Sequence, residues 1–184
     1  MELSQLLHQC KKGNAKAQKA LYDSYAPQML GVCYRYTKSM EDAEDVLQEG
    51  FIKVFRNIDQ YRGEGDFGGW VRRIMVNTAL AFLKKSRHYQ YDMMLEDENL
   101  HPVYNESPDV VLQAKQIVAM VRQLPAGYQT IFNLHAIEGY SHVEIAKMMG
   151  ISEGTSRSQY MRARNLLINW MKNFSEEKKM MGYA

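Results

Sequence analysis

Hydrophobic residues recur with helical spacing along most of the chain, and no segment shows the alternation typical of a strand. One apolar stripe consists of Leu47, Phe51, Val54, Phe55 and Ile58. A second consists of Phe67, Val71, Ile74, Thr78 and Phe82. Ahead of both, a long helix is predicted over residues 17–37, where Pro27 is expected to kink or split it. The pattern therefore predicts an all-α fold.

Two stretches break this periodicity. The segment 61–66 contains two glycines among polar residues and predicts a loop between helices. The segment 89–109 contains two prolines and clustered acids, and it predicts a flexible acidic linker. The sequence thus predicts two small helical domains, over 1–88 and 110–174, with a frayed tail over 175–184.

The charge distribution supports this division. The 184 residues carry a formal net charge of only +2, but residues 1–88 and 111–184 each carry +4. The segment between them contains six acids and neither lysine nor arginine. With 46% hydrophobic and 24% charged residues, the composition is typical of a soluble globular protein. We therefore expect two basic domains joined by an acidic segment.

The sequence also argues against a membrane or secreted protein. No apolar run approaches the roughly 18–20 residues of a membrane helix, and the N-terminus lacks the features of a signal peptide. Cys10 and Cys33 have no CxxC spacing and lie in apolar helical patterns. This predicts buried free thiols in a reducing cytoplasm, with no disulfide and no metal site.

An enzyme is not indicated. The five histidines show neither ligand pairing nor a catalytic triad, and no glycine-rich phosphate loop is present. His135 lies on an apolar stripe and is predicted to be a core residue. His142 lies in a predicted capping turn, where it is a candidate for a phosphate contact. No catalytic residue and no cofactor are therefore predicted.

The sharpest local motif is a helix-turn-helix in the second domain. Ser141 and Glu144 have the spacing of a capping box. Gly150 suits a left-handed turn, and Ser152 suits the cap of a second helix, predicted from about Glu153 to Met171.

This second helix carries the candidate contacts to duplex DNA. They are Thr155, Arg157, Ser158, Gln159, Arg162 and Arg164. Short hydroxyls suit phosphate contacts, and arginine suits guanine edges in the major groove. The alternative is an ordinary helical hairpin with a solvated basic face. The short turn, the basic residues on the second helix and the positive net charge of the domain favour DNA binding.

In the first domain, a basic helix follows the glycine-containing loop. It carries Trp70, Arg72, Arg73, Asn77 and Lys84. Basic side chains combined with an aromatic and an amide suit single-stranded DNA. The cations contact phosphates, and unstacked nucleobases pack on aromatic surfaces. The alternative is that Trp70 is core and the bases are a solvated face, and for Trp70 itself the core is favoured.

Five acids lie within residues 41–49 of this basic domain. An acidic face cannot bind DNA phosphate, so it indicates another partner, and Ile52 on the same polar face fits a protein-docking surface. A solvated helix face is the usual alternative. Metal binding is weaker, because Glu41, Asp45 and Glu49 have i,i+4 spacing but no second ligand set.

The residues described above resemble a known family. Residues 42–85 (DAEDVLQEGFIKVFRNIDQYRGEGDFGGWVRRIMVNTALAFLKK) resemble region 2 of bacterial sigma factors. Residues 124–167 (LPAGYQTIFNLHAIEGYSHVEIAKMMGISEGTSRSQYMRARNLL) resemble region 4. The short chain with only these two regions is similar to the extracytoplasmic-function subgroup of the sigma-70 family. The resemblance implies two all-helical domains that act in transcription initiation.

The resemblance also implies partners for the first domain. In the family, the acidic helix docks on the clamp coiled coil of the RNA polymerase β′ subunit, and the core enzyme also includes β. The matching residues are Asp45, Gln48, Glu49 and Ile52, while Phe51 and Phe55 are expected in the core. The loop and helix that follow melt and read the −10 promoter element. The matching residues are Tyr61, Arg62, Arg72, Arg73, Asn77 and Lys84.

For the second domain, the resemblance implies that the second helix of the motif reads the −35 element. Arg157, Ser158 and Arg162 match the base readers, Thr155 and Arg164 match phosphate contacts, and Gln159 lies among them. The family commonly has an anti-sigma partner, which is in some cases membrane-anchored.

Some residues depart from the family pattern. Ser156 stands where relatives usually bury valine, so the helix is expected to pack more loosely or rotate slightly. Gln159, Met161 and Ala81 also differ, which leaves the DNA sequence preference open. The second candidate function is a stand-alone helix-turn-helix repressor or activator, which would bind duplex DNA without polymerase.

Overall fold

The computed structural model describes residues 2–85 and 110–180, with side-chain detail over 2–85 and 116–174. These residues form helices and turns, and they contain no strand. They divide into two compact units, with the division after Lys85. We call them the N-terminal unit (residues 2–85) and the C-terminal unit (residues 110–180). The predicted all-α class with two domains is confirmed.

The N-terminal unit is a small helical bundle. Its elements are α1 (Leu3–Lys11), α2 (Ala15–Tyr34), α3 (Met40–Arg56), a 3₁₀ turn (Ile58–Gln60) and α4 (Phe67–Lys85). Helices α2, α3 and α4 pack on one another, and α1 packs on α2 and the 3₁₀ turn. Fully buried side chains from three helices, including Leu21, Met29, Val46 and Met75, form an apolar core.

Local sequence explains where these helices begin. The side chain of Asn14 caps α2 by accepting a hydrogen bond from the Ala17 N–H, and Ser39 caps α3 by accepting one from Asp42 N–H. Of the kink or split expected at Pro27, the split is wrong, because α2 is one continuous helix through this residue. Helix α2 packs against both α3 and α4, and tertiary packing of this kind commonly overrides the low helix propensity of proline.

The C-terminal unit is also helical. Its elements are α5 (Val110–Gln123), α6 (Ala126–Phe132), a π-helical turn (Asn133–Ile137), α7 (His142–Met149) and α8 (Glu153–Met180). Helix α8 packs on α5, α6 and α7. A core cluster joins α5, α6 and α8 and contains Met120, Val121, Leu124, Tyr128, Ala163, Leu167 and Trp170. Helix α8 continues to Met180, beyond the end near Met171 that the sequence predicted.

Other sequence expectations have mixed outcomes. Cys10 and Cys33 are free and buried, as predicted, and burial raises the pKa of Cys33 to about 12. The predicted acidic linker over 89–109 lies outside the described residues. Within the described ranges, no helix is both long and apolar enough to cross a membrane.

Candidate nucleic-acid and protein interfaces

The helix-turn-helix predicted from the sequence is present in the C-terminal unit. Ser141 Oγ accepts a hydrogen bond from Glu144 N–H (3.3 Å), and the Glu144 carboxylate accepts one from Ser141 N–H (2.9 Å). This reciprocal pair is the predicted capping box of α7. Gly150 ends α7 with a φ of 73°, and Ser152 Oγ accepts a hydrogen bond from Thr155 N–H at the start of α8. The turn between α7 and α8 is therefore fixed by the left-handed Gly150 and by the hydrogen bond that caps α8.

The outer face of α8 presents the predicted DNA contacts. Arg157, Ser158, Arg162 and Arg164 are exposed, and Thr155 and Gln159 are half-buried. At about 100° per residue, Arg157 and Arg164 lie on one flank of this face, and Ser158 and Arg162 lie on the other. Arg164 also lines an apolar groove of about 320 Å³, together with Ile117, Met120, Phe132, Ala136, Tyr160, Leu167, Ile168 and Met171.

The predicted base reader Arg157 is paired within its own helix. Its Nε and Nη2 donate hydrogen bonds to the same Glu153 carboxylate oxygen, at 2.9 and 2.6 Å. The Arg157 side chain is 64% exposed. An exposed ion pair of this kind contributes about 0–1 kcal/mol to stability. The guanidinium can therefore exchange Glu153 for a DNA base at low cost.

The uncharged candidates on α8 are engaged locally. The Thr155 and Ser152 hydroxyls share a hydrogen bond of 2.8 Å, and the Ser158 hydroxyl donates to the Thr155 carbonyl oxygen. Within the described part of the chain, the buried Oε1 of Gln159 accepts no hydrogen bond. A base contact by this oxygen would require the Gln159 side chain to rotate outward.

The inner face of α8 contains a polar contact that sequence reasoning missed. Ser156 is fully buried, and its hydroxyl is hydrogen-bonded to His142 Nδ1 at 2.9 Å. The His142 ring stacks on His135, with ring centroids 4.1 Å apart. Burial lowers the pKa of His142, with smaller contributions from His135 and Arg157, while Glu153 opposes the shift. The prediction of His135 as a core residue is wrong, because this ring is half-buried against His142.

In the N-terminal unit, the loop before α4 is closed by its own residues. The Tyr61 hydroxyl donates to the Gly65 carbonyl oxygen (2.8 Å), and Gly63 and Gly65 take φ values of 80° and 74°. The Tyr61 ring packs on Phe67 and on Trp70, at centroid distances of 5.0 and 5.7 Å. Trp70 is half-buried in this aromatic cluster, which agrees with a structural role.

Helix α4 presents polar residues beside this loop. Asp66 Oδ2 accepts a hydrogen bond from Gly69 N–H in the first turn of α4. Arg73, Asn77 and Lys84 are exposed at spacings of four and seven, so they share one stripe of the helix. Arg72 is half-buried beside this stripe, and Arg62 is exposed on the loop. The structure thus brings the predicted −10 contacts to one end and one side of α4.

The predicted protein-docking residues share the outer face of α3. Asp45, Gln48 and Glu49 are exposed, and Ile52 is 50% exposed. Lys53 Nζ lies 2.8 Å from Glu49 Oε1 and also donates to the buried Thr78 hydroxyl on α4. The hydrogen bond from Lys53 lowers the pKa of Glu49. We call Asp45, Gln48, Glu49 and Ile52 the acidic surface.

Two other sequence predictions concern the interior and the chemistry of this helix. Phe51 is buried as expected, and Phe55 is half-buried. Among the described residues, no group of three His, Cys, Asp or Glu side chains is arranged to hold a metal ion. The geometry of α3 therefore offers an acidic surface with one apolar residue and a buried opposite face.

Comparison with known proteins identifies both units. The family model for Sigma-70 region 2 matches residues 21–89, and that for Sigma-70 region 4 matches residues 114–167. The ECF RNA polymerase sigma-E factor of Haemophilus influenzae is 33% identical over 175 residues, which cover 89% of this chain and 92% of that protein. The RNA polymerase sigma-H factor of Pseudomonas aeruginosa is 33% identical over 174 residues, covering 89% and 90%.

A solved structure shows the same fold at lower identity. The sigma factor RpoE of Bartonella quintana, in its co-crystal structure with the anti-sigma factor NepR, is 22% identical with a TM-score of 0.52. The match covers 84% of this chain and 96% of that chain. The class is therefore that of RNA polymerase sigma factors. The chain belongs to the sigma-70 family, in its extracytoplasmic-function (ECF) group.

Proposed function

We propose that this chain binds core RNA polymerase through the acidic surface of α3 and directs it to promoters. Helix α8 reads the −35 element as duplex DNA, and the 61–66 loop with α4 reads the −10 element as a melted strand. The observation that supports this proposal most strongly is that the exposed acidic surface and the exposed basic face of α8 lie on separate folded units. Surfaces of opposite charge suit different partners.

The chemistry of each surface supports its partner. Asp45 and Glu49 repel DNA phosphate, whereas exposed Ile52 adds apolar area that a protein partner can bury. On α8, exposed Arg157 and Arg162 lie within the first three turns, and the N-terminal part of a recognition helix is the part that contacts base edges in the major groove. Beside α4, the half-buried Tyr61 offers an aromatic ring near the exposed cations Arg62 and Arg73, a combination that suits single-stranded DNA.

The direct test is transcription in vitro with purified core polymerase and a promoter that responds to the chain. The double change Asp45→Ala/Glu49→Ala should reduce transcription at least tenfold and weaken binding to core polymerase by a similar factor. The matched control Glu2→Ala/Asp23→Ala removes the same charge from exposed acids elsewhere in the N-terminal unit and should retain activity. Equal loss in both variants, or no loss in either, would contradict docking through the acidic surface.

An anti-sigma factor is a further proposed partner, free or membrane-anchored. The support is that RpoE of Bartonella quintana was solved with the anti-sigma factor NepR. A candidate partner should suppress transcription in this assay, and excess core polymerase should reverse the suppression. A candidate that binds the chain without competing with polymerase would not be an inhibitor of the proposed kind.

A further inference from the structure

Ser156 occupies an unusual place for a hydroxyl. It lies on the inner face of α8, fully shielded from solvent, on the same side of the helix as the fully buried Ala163. A buried hydroxyl without a hydrogen-bond partner is costly, so the position of its partner constrains the helix. The partner is His142 Nδ1, on the first residue of α7. The turn between α7 and α8 is thus bridged by a side-chain hydrogen bond in addition to its backbone.

His142 is itself fixed by two other rings. It stacks on His135, with an angle of 25° between the ring planes. Tyr160 of α8 packs on both imidazoles, at centroid distances of 4.6 Å from His135 and 5.7 Å from His142. A carbonyl oxygen can only accept, so His135 Nδ1 donates its hydrogen to the Tyr140 carbonyl at 2.9 Å. The π-helical turn, α7 and α8 are therefore joined through these rings.

The position of Ser156 along α8 makes this connection relevant to DNA. Arg157 follows Ser156 directly, and Ser158 and Arg162 lie on the same outer face. Rotation of α8 about its axis moves the Ser156 hydroxyl away from His142 and changes the direction of the arginines together. A bidentate arginine contact with guanine depends on geometry, so a small rotation is expected to change base discrimination.

We propose that His142 and Ser156 are positioning residues that set the rotation of α8 for reading the −35 element. This inference rests on the proposed duplex reading by α8. His135 and Tyr160 support it by fixing the His142 ring. Neither His142 nor Ser156 needs to touch a base, and their effect on DNA acts through Arg157 and its neighbours.

The test uses polymerase holoenzyme reconstituted with the full chain. A duplex library with a randomised upstream element is first selected with wild-type holoenzyme. The measured quantity is the ratio of affinities for the selected element and for a scrambled one. Loss of active holoenzyme lowers binding to both duplexes equally, whereas a rotated helix in folded chain lowers the ratio, and unfolding of the C-terminal unit is followed separately by its melting temperature. The ratio therefore separates positioning from stability.

Three single variants and one double variant test the positioning role. Ser156→Ala and His142→Leu should each lower the ratio about tenfold, which corresponds to about 1.4 kcal/mol. His142→Asn should preserve much of the ratio, because an asparagine amide can occupy the place of Nδ1. The double variant Ser156→Ala/His142→Leu should lose no more than either single variant, since no buried polar group remains unpaired.

The control is Val121→Ala, which removes volume from the core cluster on α5 without touching either histidine. It should lower the melting temperature of the C-terminal unit and leave the ratio unchanged. Wild-type ratios in both single variants, or fully additive losses in the double variant, would overturn the positioning role. If wild-type holoenzyme selects no upstream element, duplex reading by α8 fails as well.

Discussion

The two units differ in what fills their interiors. Among the described residues, the N-terminal unit buries the polar side chains of Thr37 and Thr78 only. The C-terminal unit buries Gln129, Thr130, Asn133 and Ser156, and three of these lie in or next to the segment that precedes the helix-turn-helix. Hydrophobic burial is non-directional, whereas a hydrogen bond depends on the angle between donor and acceptor. The comparison teaches that the interior of the C-terminal unit depends on buried polar groups more than the interior of the N-terminal unit does.

Each unit contains one tryptophan, Trp70 in the first and Trp170 in the second. Fluorescence of single-tryptophan variants, Trp70→Phe or Trp170→Phe, can therefore follow the unfolding of each unit separately. These two probes make the comparison measurable in the same full-length chain.

The largest expected effect is a cavity in the N-terminal core. Leu21 is fully buried in α2, so Leu21→Ala should reduce the free energy of unfolding of this unit by about 2–5 kcal/mol. The Trp70 transition should shift to lower denaturant, and the Trp170 transition should not move. A common shift of both transitions would show that the units do not unfold independently.

The next effect concerns DNA reading. Arg157→Ala should weaken recognition of the −35 element by about 1–3 kcal/mol. The matched change Arg73→Ala on α4 should instead reduce recognition of the −10 element. Binding by holoenzyme to promoters mutated in one element at a time is the measurement. If Arg157→Ala changed recognition of the −10 element, or Arg73→Ala that of the −35 element, the proposed division of DNA reading between the units would be wrong.

A smaller effect is expected from the cap of α7. Ser141→Ala removes the capping box and should cost about 1 kcal/mol of stability in the C-terminal unit. Urea unfolding followed through Trp170 provides the value, and Ser24→Ala, an exposed serine on α2, provides the control in the other unit. A similar loss in the control would indicate a general effect of removing serine.

The smallest effect is a pH dependence confined to the C-terminal unit. The pKa of His142 lies below its ordinary value of 6.5 in the folded chain, so the unfolded chain binds the proton more readily. The resulting stability is fully present above pH 6.5 and is lost as the pH falls through the lower folded pKa. The midpoint of the unfolding transition followed through Trp170 should move to lower urea as the pH falls across this range. His142→Asn should remove this pH dependence. An equal shift of the midpoint followed through Trp70 would argue against His142 as the cause.

Much of this architecture could be predicted because its signals are local. The capping box at Ser141, the left-handed Gly150 and the apolar stripe through Phe51 all depend on neighbours within a few residues. The bond between His142 and Ser156 spans fourteen positions and exists only after α7 and α8 pack. For the same reason, the inward oxygen of Gln159 and the uninterrupted helix through Pro27 could not be read from sequence spacing.

Helix α8 contributes to the core and also carries the residues proposed to read DNA. It is 28 residues long, about 42 Å at 1.5 Å per residue, with its reading end in the first turns and its core contacts further along. About 15 Å separate Arg157 from Leu167 along the axis. The core therefore holds the helix at some distance from the residues proposed to contact DNA. A few degrees of rotation or tilt of α8 moves the arginine tips by about an ångström, so substitutions at His142 or Ser156, which need not touch DNA, are expected to change promoter preference.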